Sequence, residues 1–544
     1  MPYEKGGGRR IKVNMNHLIH LGLTVLSYVY FNVVHVVFTV INYIYPRRIV
    51  PRPTNRILLL SATKLAEKIR NGELTSFEVI NAYIARVEEV NPIINAMVYP
   101  NFDNARKEAK AVDHYLSNLD KDSDEFKNLA KTKPILGVPF TLKDIIKVKG
   151  MNCSMGVPAR ANYIADEDAA YVKQLKDAGG IVLGTTNVPE LAMWLETNNH
   201  LHGMTNNPYD SRRIPGGSSG GEGALIAAAG SVIGIGSDIG GSIRMPSFFS
   251  GIFGFKNTQF LIDRTGHEPE GLTAGGLRNE MFVVGPMCRY IEDIPLMMKI
   301  GNPEKCEKFK LDDPIDLSKV RLYYMEGIKS LVMEPLHCDI LAKLHEAITY
   351  LETECRMTSV KVDFPEMKSG FGFWVTDLES KECPSFAKLA TDFHGEANFV
   401  AEFGKCLIGR SDHTMAVIIG GLIEHFGGIH SDDRKKELRR IHEKMRTELH
   451  ALLEKNAVLL FPGFSYPAPY HHQALWSGCN IAYTSIFNSM GLPSLAVPTG
   501  LNKDGLPTGV QIVGAPNNDA LLLAVGRKLD KGFGGWTAPG LSVQ

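Results

Sequence analysis

The chain has 544 residues and a formal net charge of zero, with 59 Lys+Arg against 59 Asp+Glu. That balance excludes a general nucleic-acid binder, which needs a basic excess. With 44% hydrophobic and 22% charged residues it is neither a disordered chain nor a multi-span membrane protein.

Residues 13–46 contain no Asp, Glu, Lys or Arg, and 18–45 are dense in Leu, Val, Ile, Tyr and Phe. About 20 apolar residues cross a hydrocarbon core ~30 Å thick, so the stretch predicts one N-terminal transmembrane helix. A cleaved signal peptide would have a shorter apolar run and a small-residue cleavage site. A helix lying in the interface or against the protein is the remaining alternative. Lys5, Arg9, Arg10 and Lys12 before the run balance Arg47, Arg48, Arg52 and Arg56 after it, so flanking charge leaves its orientation open. Pro46, Pro51 and Pro53 stiffen the basic stretch that follows. Residues 1–50 thus read as anchor and linker, and 51–544 as one body.

Within that body Thr75-x-x-Glu78 is a capping box opening a helix to about Glu89. Residues 94–99 predict a strand, 102–119 a helix, and 134–142 a buried strand entering a loop. A helix at 169–178 and a strand at 181–186 follow. Further strands are expected at 320–325, 457–461, 495–498 and 509–514, with mostly helix over 337–455. Alternating strand and helix signals imply an α/β fold with a parallel or mixed sheet. No clear linker divides 60–540, which favours a single large domain. The eight Cys lack C-x-x-C or zinc spacing and read as buried free thiols. No metal site and no cofactor are expected, and no nucleotide loop is present.

Two Gly-rich segments carry the chemistry. Gly216-Gly217-Ser218-Ser219-Gly220-Gly221 runs into an apolar, Ala-rich stretch at 224–229. Glycine lets backbone N–H groups converge, and the helix start behind it favours negative charge. The segment also fits G-x-S-x-G, a nucleophile elbow centred on Ser218, with His471 or His472 as conceivable partners. That signal is weak in a chain with 17 His. The second segment is Asp238-Ile239-Gly240-Gly241-Ser242-Ile243-Arg244-Met245-Pro246, and Lys143 follows a strand in Thr141-Leu142-Lys143-Asp144. Asp238 and Arg244 read as an ion-paired scaffold, and Ser219 as structural. His200-x-His202 resembles a metal pair but lacks a third ligand, so loop packing is the better reading.

From Gly216 to Ser247 the Gly/Ser pattern, with its Ser-Ile-Arg-x-Pro end, resembles the amidase signature family, as does the Lys-bearing stretch at 141–144. The resemblance covers about 60–540 and is least diagnostic over 300–440. It implies that Ser242 is the nucleophile, Ser218 the bridging serine and Lys143 the general base. It further implies backbone oxyanion donors at Ile239, Gly240, Gly241 and Ser242, and a cis peptide between Ser218 and Ser219. A buried Lys has its pKa lowered, which makes it a usable base. Asp144 would raise that pKa if it touched the amine, so it should point elsewhere.

The anchor, Glu222-Gly223-Ala224-Leu225-Ile226 and Ile239 make the chain most similar to the membrane-anchored fatty acid amide hydrolase branch, type 2. The resemblance implies hydrolysis of N-acylethanolamines and primary fatty amides to fatty acid and amine. A lipid-like amide is then the substrate, the membrane is met through the N-terminal helix, and nucleic acid is not a partner. A homodimer is compatible with it, and an endomembrane, endoplasmic reticulum or lipid droplet, is the expected location. The alternatives are an amidase for other small amides or esters, or a glutamyl-tRNA amidotransferase-like subunit. Residues 415–423 read either as acyl-channel lining or as ordinary core.

Overall fold

The computed structural model describes residues 15–269, 276–379 and 383–540. Its strands, in chain order, are β1 (Met97–Pro100), β2 (Pro139–Lys143), β3 (Ile181–Thr186), β4 (Asn198–Asn199), β5 (Gly203–Met204), β6 (Ile233–Asp238) and β7 (Phe253–Lys256). They continue as β8 (Val283–Cys288), β9 (Arg321–Tyr324), β10 (Thr358–Lys361), β11 (Ala457–Pro462), β12 (Ser494–Leu501) and β13 (Pro507–Val513). Eleven form one sheet in the order β1-β3-β2-β6-β8-β7-β12-β13-β11-β9-β10, while β4 and β5 pair as a small hairpin. The β3-β2-β6 trio is parallel, and β6 meets β8 antiparallel, so the sheet is mixed. β2, β3, β6 and β8 are buried along their whole length, as expected of strands covered on both faces.

The expected strands appear on either side of the sheet centre, some trimmed by a few residues. β2 begins at Pro139 rather than 134, and β1 at Met97 rather than 94. The second shift arises because the capped helix Ser76–Ile94 outlasts its expected end and stops where Asn95 turns left-handed (φ 47°). Its capping box is formed, with Thr75 Oγ1 accepting from Glu78 N at 3.1 Å and Glu78 accepting from Thr75 N at 2.9 Å. The sequence reading missed β6, β7, β8 and β10. Three of these are rich in Gly or Pro, which weaken a strand pattern. Cys153, Cys288, Cys306 and Cys355 are buried free thiols as expected, whereas Cys338 is exposed and Cys406 and Cys479 are half-buried.

The N-terminal helix spans Met15–Tyr43, and Ile19–Tyr43 is long and apolar enough to cross a membrane. At 1.5 Å per residue it reaches roughly 37 Å. It does not stand free of the body. Ser27 Oγ donates to Leu331 O (2.8 Å) and Tyr30 Oη to Trp476 O (3.1 Å). His35 stacks on Tyr466 with ring centres 3.9 Å apart, and its Nε2 lies 2.9 Å from Glu334 Oε1. Phe31 and Val34 are buried on the same side, whereas Leu26, Val33, Val36 and Val40 are exposed. One stripe of the helix is therefore bound to the protein, and the opposite face remains apolar and open.

Candidate active site

Lys143 is the last residue of β2, and its side chain is fully buried. Nζ donates to Ser218 Oγ and to Ser237 Oγ, both at 2.9 Å. Burial lowers the Lys143 pKa to about 7, against the opposing pull of Asp238 and Glu222. Glu222 is itself pushed up to about 8 by burial, although Thr186 and Thr141 both donate to its carboxylate at 2.8 Å. Asp144 turns away from the amine, as expected, and accepts from Ser154 N at 2.9 Å. Burial raises its carboxyl to about 7.

Ser218 and Ser219 lie just ahead of the helix Gly220–Ala227. The cis peptide joins Gly217 to Ser218, one bond earlier than the expected Ser218–Ser219 position. A Cβ on Gly217 would overlap the Trp194 carbonyl, so only glycine fits there. Ser219 N donates to Ser242 O (3.2 Å), which ties the two serine loops together.

The second loop is organised by Asp238, at the end of β6. Its carboxylate accepts from Gly241 N (2.7 Å), Ile243 N (3.2 Å), Arg244 Nε and Nη2 (both 3.1 Å) and Asn488 Nδ2 (2.8 Å). Burial opposes ionisation, but the Arg244 guanidinium outweighs it and the carboxyl falls to about 2. The expected ion-paired scaffold is present. The expected donor at Gly241 is not available, because its N–H is already given to Asp238. Gly241 instead makes the turn, at φ +121° and against the Thr484 side chain. Among the described residues, the N–H groups of Ile239, Gly240 and Ser242 have no acceptor. Trp374 Nε1 donates to Ile239 O (2.9 Å) and clamps this loop from the helix Gly370–Leu378.

Ser242, Ile239 and Gly240 face a cavity of ≈ 960 Å³ walled by Trp194, Phe371, Trp374, Leu378, Ile419 and Trp476 among others. Residues 415–423 divide between cavity wall and core. On the helix Met415–His425, Ala416, Ile419 and Ile423 line the cavity, whereas Val417 and Ile418 are buried core. Arg278, Glu379, Lys435 and Arg439 make part of its wall polar.

The elbow reading fails on geometry. His471 Nδ1 lies 2.9 Å from Glu196 Oε1 and His472 N donates to the same carboxylate at 2.9 Å, while Ser218 is held by Lys143. His202 packs beside the β4–β5 hairpin, and burial lowers its pKa to about 4. Two site residues escaped sequence reasoning. Ser237 lies just ahead of the second Gly-rich segment, where only its position on a strand ending at Asp238 could have marked it. His267 Nε2 lies 2.9 Å from Ser237 Oγ, and no local pattern announces it.

With this geometry in place, the chain can be set beside known proteins. Residues 78–523 match the family model described as Amidase. The chain is 40% identical over 498 residues to fatty-acid amide hydrolase 2-B of Danio rerio, covering 90% of this chain and 93% of that one. It is 40% identical over 497 residues to fatty-acid amide hydrolase 2 of Homo sapiens, covering 90% and 92%. A solved structure titled fatty acid amide hydrolase superposes with a TM-score of 0.70 at 23% identity, over 88% of this chain and 86% of that one, which speaks to the fold. A match running through both serine loops and the Lys143 strand, together with relatives aligned over nine-tenths of the chain, makes this protein a member of the Amidase family.

Proposed function

We propose that this enzyme hydrolyses the amide bond of fatty acid amides, N-acylethanolamines and primary fatty amides among them, with Ser242 as nucleophile. The observation that carries the reading is a buried Lys143 amine 2.9 Å from Ser218 Oγ, with Ser242 at the wall of a large apolar cavity. A serine hydroxyl needs an adjacent base. Ser218 takes the Ser242 proton as it gives its own to the neutral Lys143 amine. The Ser242 oxygen attacks the carbonyl, and the resulting oxyanion is met by the open N–H groups of Ile239, Gly240 and Ser242. Losing one such donor typically costs about 10²–10³ in kcat. The proton then returns through Ser218 to the leaving amine, and water hydrolyses the acyl-enzyme by the same relay.

The cavity favours a long acyl chain over the small amides and esters of the alternative reading, since most of its lining offers no polar partner. The named relatives, fatty-acid amide hydrolases, support the same choice. We assign catalysis to residues 51–544 and membrane attachment to 1–50, on an endomembrane; a homodimer is compatible with this arrangement. A panel of acyl amides varied in chain length and head group tests the function. Turnover that rises with chain length supports it, and equal or better turnover of short amides refutes it.

A further inference from the structure

The relay uses one of the two hydrogen bonds on Lys143. The other goes to Ser237 Oγ, which also lies 2.9 Å from His267 Nε2. Both Ser237 and His267 are buried. His267 is fixed on every side: its backbone bridges to Ile146, its N–H donates to Arg264 O (3.2 Å), and its ring meets Phe282 edge-on at 4.4 Å.

We propose that His267 is a positioning residue that holds the Ser237 hydroxyl proton away from Lys143, so that the Lys143 lone pair is reserved for Ser218. This inference rests on Lys143 being the general base. A hydroxyl has one proton and two lone pairs, and a neutral amine has a single lone pair. When Ser237 donates to His267 Nε2, it can only accept from Lys143, and the amine lone pair faces Ser218. Among the described residues, Ser237 Oγ has no side-chain partners other than these two. If the imidazole acceptor is removed, the Ser237 proton turns to Nζ and competes with the proton that Ser218 must deliver.

The device requires an unprotonated Nε2, and the surroundings provide it. Burial drives the His267 pKa well below its ordinary value, and the positive charges of Lys143 and Arg264 push the same way. The ring also makes a backbone hydrogen bond at Glu268 that favours its protonated form, the sign of a ring N–H donating. We assign the ring hydrogen to Nδ1 on that basis, which leaves Nε2, 2.9 Å from Ser237 Oγ, as the acceptor. The other charges nearby are engaged elsewhere. Glu268 lies 3.4 Å from Lys147 Nζ and 3.6 Å from Arg160 Nη2, and Arg264 Nη1 donates to Asn279 O at 2.7 Å. Asp238 and Glu222 face Lys143 and raise its pKa.

The test compares kcat and KM across pH for the full-length wild type, Lys143→Ala, His267→Leu, His267→Gln, Ser237→Ala and Ser237→Ala/His267→Leu, with a primary fatty amide in detergent. His267→Leu should lower kcat about tenfold or more with KM little changed. It should also move the acid limb of the profile to lower pH, because donation from Ser237 favours the neutral amine. His267→Gln, with an oxygen able to accept, should recover most of the loss. On the Ser237→Ala background His267→Leu should cost nothing further, since no competing proton remains.

An unchanged kcat and limb in His267→Leu, a Gln variant as poor as Leu, or a full Leu penalty on the Ser237→Ala background would overturn the proposal. Should His267→Leu not fold, as read by thermal unfolding, the Gln variant and the double variant decide, with wild-type activity in His267→Gln and Ser237→Ala-like activity in the double as the supporting results. Lys143→Ala separates the two readings. An acid limb that survives it sinks the base assignment itself, whereas a limb that it abolishes while His267→Leu does nothing sinks only the role of His267.

Discussion

Replacing Lys143 with Ala should remove the rise in rate with pH and lower kcat for a fatty amide by several decades. At its ordinary pKa near 10.4, roughly one Lys in a thousand or fewer is neutral at pH 7. Burial brings Lys143 to about 7, where about half is neutral, a gain in competent base of about 10³. The sign follows directly. The amine is protonated and inactive below its pKa, so kcat should climb through pH 7 and reach a plateau above it. The assay is amine release from a primary fatty amide between pH 5 and 10, on protein whose folding is checked at each pH.

Other buried groups could imitate this limb, among them Lys256, which burial lowers to about 7. Asp144 is raised to about 7 and Glu222 to about 8. Asp144 faces Ser154 rather than the relay, so Asp144→Asn should leave the midpoint in place. A midpoint that vanishes in Asp144→Asn and persists in Lys143→Ala would refute the Ser-Ser-Lys relay.

Ser242→Ala should abolish both turnover and covalent labelling by a fluorophosphonate, and labelling at the wild-type rate would return the nucleophile to Ser218. Ser218→Ala should cost several decades of kcat, and combining it with Lys143→Ala should cost far less than the product of the two losses, because one break already disables the unit; multiplicative losses would argue against a shared relay. Asp238→Asn should destabilise the protein by about 3–5 kcal/mol in denaturant unfolding, since it leaves the Arg244 charge buried without its partner; a change under ~1 kcal/mol would deny the scaffold its role. Truncation before Pro51 should leave an active enzyme that sediments less with membranes and melts at lower temperature, because the contacts of Phe31, Val34 and His35 are lost; an inactive but folded product would make the helix part of the catalytic body.

Much of the site was legible because its chemistry is local in the chain. Gly-rich loops, two serines and a strand-ending lysine carry their meaning at short range, since backbone convergence and helix starts depend on neighbouring residues. The charge-free run at 13–46 announced its helix in the same way, as the capping box at Thr75 did for another. What required the tertiary structure was any property set by distance between remote segments. The approach of Lys143 to Ser218 and Ser237 joins β2 to β6 and the first serine loop. Its lowered pKa is a consequence of burial by the whole sheet and its helices. Gly241 lost its expected donor role because Asp238 folds back onto its N–H, a contact that spacing alone leaves undecided. The strands β6 and β8 were hidden by their glycines and prolines and exist through pairing with each other. His267 enters the site on a loop with no pattern of its own, and the bound stripe of the N-terminal helix depends on His35 finding Glu334 and Tyr466 far along the chain. Residue type and local order specify which groups are present, while only the packed fold decides which of them meet and which are kept from water.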